Sequence, residues 1–160
     1  MEPADSYAAE VNRLLAAAVS LFPTEQHPVE LQRPAAPTVD LPDGGSGLAT
    51  AAEQAAQGYR DDDARAAGLS EALYGAVKQA SDQAQQAGAS ALAIRQTAAT
   101  EAQAVTAEGQ DPHNLVLLVS QMDDRLRAMQ EHIEHTREGF AASAQRIEAH
   151  GVEMAAIRQS

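Results

Sequence analysis

The chain has 160 residues, which is room for one domain with a short extension. Apolar residues make up 44% of it, but aromatic residues only 3%, and tryptophan is absent. This composition favours an elongated helical bundle over a compact core of large side chains. The net charge of -12 argues against nucleic acid or an anionic membrane surface as a partner. Because cysteine is absent, a disulfide framework, a thiolate nucleophile and Cys-ligated metal are excluded.

Targeting signals are also missing from the sequence. No apolar run approaches the roughly 18 residues of a membrane span. The first residues carry Glu2 and Asp5 where a secretory signal peptide has basic residues. We therefore expect a cytoplasmic protein with neither a membrane span nor a signal peptide.

Residues 1–22 predict a short amphipathic helix, with its regular part at residues 4–22. Apolar residues recur near one face, and Pro23 ends the pattern. That face comprises Tyr7, Val11, Leu14, Leu15, Ala18, Leu21 and Phe22. Two interpretations stay open: the helix packs back on the main body or self-associates, or it is a detachable docking helix for a partner.

Residues 23–47 show no helical or strand periodicity. The prolines of this segment are Pro23, Pro28, Pro34, Pro37 and Pro42, and a glycine-rich run follows them. This composition predicts an extended linker. Pro34 and Pro37 form a Pro-x-x-Pro motif, the minimal ligand of domains that bind proline-rich segments, but the motif is short and unspecific.

Residues 48–107 contain no proline and predict a long helix. Small apolar residues recur along it at alternating spacings of four and three. The stripe comprises Leu73, Val77, Ala80, Ala84, Ala87, Ala91, Ile94, Ala98, Ala102 and Val105. A stripe of alanines allows a second helix to approach closely, provided that larger side chains face it.

Residues 112–158 predict a second long helix. Asp111 is a suitable N-cap, Pro112 suits the first helical position, and Gly109 can supply the left-handed residue that ends the helix before it. A heptad repeat runs through this helix. Its positions are Leu115, Val119, Met122, Leu126, Met129, Ile133, Thr136, Phe140, Ser143, Ile147, His150 and Met154.

The short connection between these helices predicts an antiparallel pair. The predicted fold is thus all-α: a long antiparallel helical hairpin over residues 48–160, preceded by a short helix and a Pro-rich linker. Val116 and Leu117 make the start of the second helix apolar almost all round, so we expect another helix to cover it. The expected partner is another helical protein or a second copy. The predicted interface comprises Leu115, Leu118, Val119, Met122, Leu126, Met129, Ile133 and Phe140.

No cluster of residues predicts catalysis, a metal site or a cofactor site. His132 and His135 lie among glutamates at a spacing seen in metal sites, but they fall beside the heptad stripe and fit a solvated, charged face. The acidic triplet comprises Asp61, Asp62 and Asp63. Its side chains point in different directions around a helix, so they cannot bind one cation together. His150 lies on the heptad stripe, where a lone histidine more often specifies a partner than acts in chemistry. We expect a protein that is not an enzyme.

An alanine-rich helix, a tight turn and a second helix starting at Asp111-Pro112 resemble the helical hairpins of the type VII secretion systems of actinobacteria, the WXG100 superfamily and its longer relatives. The resemblance covers roughly residues 48–158 and is architectural. The turn, residues 108–112, lacks the family's Trp-x-Gly. The family's export signal, Tyr-x-x-x-Asp/Glu, is matched only by Tyr59 and Asp63 in the first long helix.

The resemblance implies a secretion substrate, or a companion or chaperone of a partner that carries the export signal. An alternative from a different class is an intracellular coiled coil that self-associates as a structural or adaptor protein.

Overall fold

The computed structural model describes residues 3–23 and 47–159, and all regular structure in these two ranges is helical. The helices are α1 (Pro3–Val19), α2 (Gly47–Ala107) and α3 (Pro112–Gln159). The predicted all-α class is therefore confirmed. Of the predicted Pro-rich linker, residues 23–47, the part 24–46 with Pro34 and Pro37 lies outside the described residues. Its last residue, Gly47, is the first residue of α2 and so is helical.

The turn between α2 and α3 is built by the local signals that the sequence shows. Gly109 has a φ of 114°, a conformation that glycine adopts without strain. The backbone N–H of Asn114 donates to Asp111 Oδ1 at 2.9 Å, which is the N-cap bond expected for α3. The buried Asn114 side chain donates from Nδ2 to the Gly109 carbonyl oxygen at 3.0 Å. These bonds satisfy backbone groups that a helix end otherwise leaves unpaired.

The chain divides into two compact units. Unit 1 comprises Met1–His27 and Ala80–Ala142, and unit 2 comprises Pro28–Gln79 and Ser143–Ser160. The long helices α2 and α3 each contribute residues to both units.

Unit 1 holds the main hydrophobic core, to which all three helices contribute. Arg125 of α3 lies against Glu101 of α2, and His132 lies against Ala87, so α2 and α3 are antiparallel in this unit. The buried side chains are Ala4, Val11, Leu15 and Phe22 from α1 and the turn after it, Ala87, Ala91, Ala98 and Val105 from α2, and Leu118, Met122 and Met129 from α3. The predicted alanine stripe of α2 is thus part of the core.

Unit 2 is less well packed. Among its described residues, Ala56 is the only buried apolar side chain. Arg146 Nη1 donates to Gln79 Oε1 at 3.0 Å, and Ser70 Oγ lies 4.0 Å from Met154 Sδ, so α2 and α3 are antiparallel here as well. Both of these contacts between the helices of unit 2 involve polar side chains.

The buried side of α3 is rotated around the helix axis relative to the predicted heptad stripe. Leu118 is 1% exposed, whereas Val119, which the heptad places in the contact stripe, is 43% exposed. Leu126 and Ile133 pack against the core but are half-buried. The reason is that α3 contacts two neighbouring helices in unit 1, whereas a heptad repeat describes the contact with a single neighbouring helix.

The contact face of α1 is narrower than the sequence predicted. The helix ends at Val19, and its buried residues follow a spacing of seven and four from Ala4. Leu14 and Leu21, which were predicted on this face, are 45% and 70% exposed. Leu14 lies about 100° around the helix from Leu15, and Leu21 lies two residues beyond Val19, the last helical residue. The prediction that this helix packs back on the main body is confirmed within unit 1.

Candidate protein–protein interface

The eight residues predicted as a partner interface fall into three groups in the structure. Leu118, Met122 and Met129 are buried in the core of unit 1. Val119 is exposed. The half-buried residues are Leu115, Leu126, Ile133 and Phe140. The predicted interface is therefore covered in part by the chain itself, and its accessible portion lies near the turn.

Val116 and Val119, which are exposed at the start of α3, form what we call the turn-proximal patch. They are 69% and 43% exposed. Leu117 is 38% exposed but lies about 160° around the helix from Val119. Val116 and Val119 lie three residues apart and so are neighbours on the helix surface. Leu118, between them in sequence, is buried on the opposite side. This part of α3 therefore presents apolar side chains both to the core and to solvent.

Helix α1 covers the other side of α3 and is held there by polar contacts. The Tyr7 hydroxyl donates to Asp123 Oδ1 at 3.1 Å. Burial raises the pKa of the Tyr7 hydroxyl, and the nearby Asp123 carboxylate raises it further. Arg95 Nε of α2 donates to Asn12 Oδ1 of α1 at 3.0 Å. These bonds place α1 in a groove between α2 and α3.

Phe22, which follows α1, contacts His132, a residue that was predicted to lie on a solvated face. The rings of Phe22 and His132 are stacked, with centroids 5.3 Å apart. His132 Nε2 lies 2.8 Å from the carbonyl oxygen of Ala87, which it can reach only as a donor. The solvated-face interpretation of His132 was therefore wrong. At His132, α3 contacts both α2 and the segment that follows α1. The periodicity of α3 alone cannot show where these neighbours lie.

Arg125 and Glu101 form an ion pair that links α2 and α3 in unit 1. Arg125 donates from Nε and Nη2 to the two carboxylate oxygens of Glu101, each at 2.9 Å. This two-point hydrogen bond raises the pKa of Arg125. The heptad pattern did not identify either residue as a contact. A long side chain that crosses the edge of a helix pair leaves no periodic signal.

The remaining candidates for chemistry are dispersed. His135 is exposed, and so are Asp61, Asp62 and Asp63. Within residues 3–23 and 47–159, no three His, Asp or Glu side chains are placed so that they could hold a metal ion. None of the helices described is long and apolar enough to cross a membrane.

No family model matches the chain, and neither a curated protein nor a solved structure matches it.

Proposed function

We propose that this chain is a non-enzymatic helical interaction protein that binds a helix of another protein through the turn-proximal patch. The observation that carries the proposal is the exposure of Val116 and Val119 on the side of α3 away from the fully buried Leu118. An α-helix with apolar residues on both sides is typical of one that packs against helices on both sides. In unit 1, α1 and α2 supply the neighbours for one side, and a partner helix would supply the other.

The proposal extends to type VII secretion, with the chain as a substrate or as the companion or chaperone of a secreted partner. Its support is the architectural resemblance of residues 48–158 to the WXG100-like hairpins. The long antiparallel hairpin belongs to this proposal, and the antiparallel contacts inside each unit are compatible with it.

The patch is tested by affinity purification of the tagged full chain from its source cells. The variant Val116→Asp/Val119→Asp places two charges in the patch and should reduce recovery of the partner at least tenfold, which corresponds to about 1.4 kcal/mol of binding free energy. Val152→Asp is the matched control, because Val152 lies on the same helix and is 65% exposed. Circular dichroism of each variant verifies that it is folded.

Recovery of one helical protein with the wild type and the control, but not with the patch variant, supports the proposal. Equal recovery with all three chains contradicts it. The secretion role has its own test, which is to compare culture filtrate and cell pellet with and without the type VII ATPase. If neither the chain nor its partner changes compartment, the secretion role is wrong even if the patch binds a helix.

A second candidate function is self-association as a structural or adaptor protein, and unit 2 favours it. Leu48, Tyr59 and Tyr74 are 81%, 72% and 50% exposed. They lie within about 80° of one another around α2, at 100° per residue. Burial of this face in a second copy would compensate for the small apolar core of the unit. Sedimentation of the purified chain distinguishes the candidates, because a monomer at micromolar concentration excludes self-association through this face.

A further inference from the structure

The turn-proximal patch lies in a part of unit 1 that is acidic in sequence. Residues 96–124, which include the turn and the start of α3, contain no lysine or arginine. Their acidic residues are Glu101, Glu108, Asp111, Asp123 and Asp124. Arg125, the next cation along the chain, points toward α2, where it binds both carboxylate oxygens of Glu101. The negative charge near the patch is therefore only partly compensated by this segment itself.

Asp123 lies directly beside the patch on the surface of α3. It follows Val119 by four residues and Val116 by seven, so the three side chains share one side of the helix. Asp123 is exposed, and its Oδ1 accepts a hydrogen bond from the Tyr7 hydroxyl at 3.1 Å. That hydroxyl is neutral at pH 7, because its pKa is raised above the ordinary value of 10.0. The hydrogen bond therefore brings no positive charge to Asp123.

Asp124 forms an exposed ion pair with Arg127. Arg127 Nη1 donates to Asp124 Oδ1 at 3.4 Å, and both side chains are more than half exposed. Arg127 lies about two turns beyond Val119, further from the patch than either aspartate. An exposed pair of this kind contributes little to stability. The Asp124 carboxylate is therefore accessible to a cation of another molecule.

We infer that the helix bound at the turn-proximal patch is a basic amphipathic helix of a different protein. Its apolar stripe contacts Val116 and Val119. Lysine or arginine side chains beside that stripe bind the carboxylates of Asp123 and Asp124. The inference rests on the proposed function and adds the charge of the partner. Opposite charges across an interface favour association, whereas a second copy would bring the same acidic side chains to the interface, where like charges repel.

Two synthetic helical peptides test the charge of the partner. Both carry leucines at spacings of three and four residues, and the positions beside the leucines are lysines in one peptide and glutamates in the other. The Kd of each labelled peptide for the purified full chain is measured by fluorescence anisotropy. The lysine peptide should bind about tenfold more tightly or better. Equal binding of the two peptides, or no binding of the lysine peptide, overturns the inference.

Asp123→Asn/Asp124→Asn removes two charges beside the patch and keeps a side-chain oxygen that can accept from Tyr7. Asp61→Asn/Asp62→Asn is the matched control, because it removes two charges from exposed positions of unit 2. The first variant should weaken binding of the lysine peptide by about threefold or more, as expected for two exposed ion pairs, and the control should bind like the wild type. Equal weakening by both variants overturns the inference, because the peptide would then respond to the charge of the whole chain.

Val116→Ser/Val119→Ser separates this inference from the proposed function. It removes apolar contact without a change in charge, so it should weaken binding of the lysine peptide about tenfold. Circular dichroism verifies that each variant is folded. If the serine variant weakens binding and Asp123→Asn/Asp124→Asn does not, the patch binds a helix and the inferred charge of the partner is wrong. If neither weakens binding, the patch is not the site and the proposed function fails too. A wild-type dimer that the serine variant converts to a monomer identifies a second copy as the occupant, which also overturns the inference.

Discussion

Leu118 and Val119 are adjacent in α3, and the heptad pattern and the structure rank their contributions to stability in opposite orders. The heptad places Val119 in the contact stripe, whereas the structure buries Leu118, at 1% exposure, and exposes Val119 at 43%. Leu118→Ala removes a fully buried side chain and leaves a cavity, so it should lower the free energy of unfolding by about 2–5 kcal/mol. That is a large fraction of the roughly 5–15 kcal/mol that stabilises a typical domain.

Val119→Ala should change stability little, or slightly increase it. Loss of the partly buried methyl groups costs at most about 1 kcal/mol. Alanine has the higher helix propensity, which returns a gain on the order of 0.5 kcal/mol. Val116→Ala, at an even more exposed position, controls for this propensity term.

The assay is urea unfolding followed by far-UV circular dichroism, because the chain has no tryptophan for fluorescence. A leucine variant less stable than wild type, with both valine variants close to wild type, agrees with the structure. If Val119→Ala cost as much as Leu118→Ala, the core would face the heptad direction and the packing described for unit 1 would be refuted.

Three further predictions concern the edges of unit 1. His132→Ala should lower the free energy of unfolding by about 1–3 kcal/mol, because it removes both the ring that stacks on Phe22 and a hydrogen bond to the carbonyl oxygen of Ala87. The raised pKa of Tyr7 means that the folded state holds this proton more tightly than the unfolded state, so stability is lost as the pH rises above the ordinary value of 10.0. Tyr7→Phe should reduce this alkaline loss in urea unfolding at a series of pH values. Gly109→Ala should cost about 1–2 kcal/mol, because the backbone there has a φ of 114°.

Each of these predictions has a matched control in the chain. His135→Ala, at an exposed position, should leave stability unchanged, and equal effects of the two histidine variants would contradict the contact of His132. Asn12→Ala removes another polar contact of α1 but no phenol hydroxyl, so it should leave the alkaline loss unchanged. Gly151→Ala lies within α3 with nothing within 4 Å of the added Cβ, so it should stabilise by about 1 kcal/mol. If both glycine variants were stabilising, the turn would not require the conformation of Gly109.

The ends of the long helices could be predicted because their causes are local. Asp111, Pro112 and Gly109 each act on backbone groups within a few residues, and the structure shows the N-cap bond and the positive φ that they imply. The interface is different. Leu115 and Met122 lie on the heptad stripe as predicted and face the core, but no local signal separates them from Val119 on the same stripe.

What the sequence by itself determined is the helical class, the turn at Gly109 and the small-residue face of α2, which supplies Ala87, Ala91 and Ala98 to the core. Only the tertiary structure decided which side of α3 is buried and which contacts join the helices. Periodicity states which residues share a side of a helix, but the buried direction is set by where the neighbouring helices lie. Because α1 lies in a groove between α2 and α3, Leu118 is on the buried side of α3. For the same reason His132 contacts Phe22 and is not a solvated side chain.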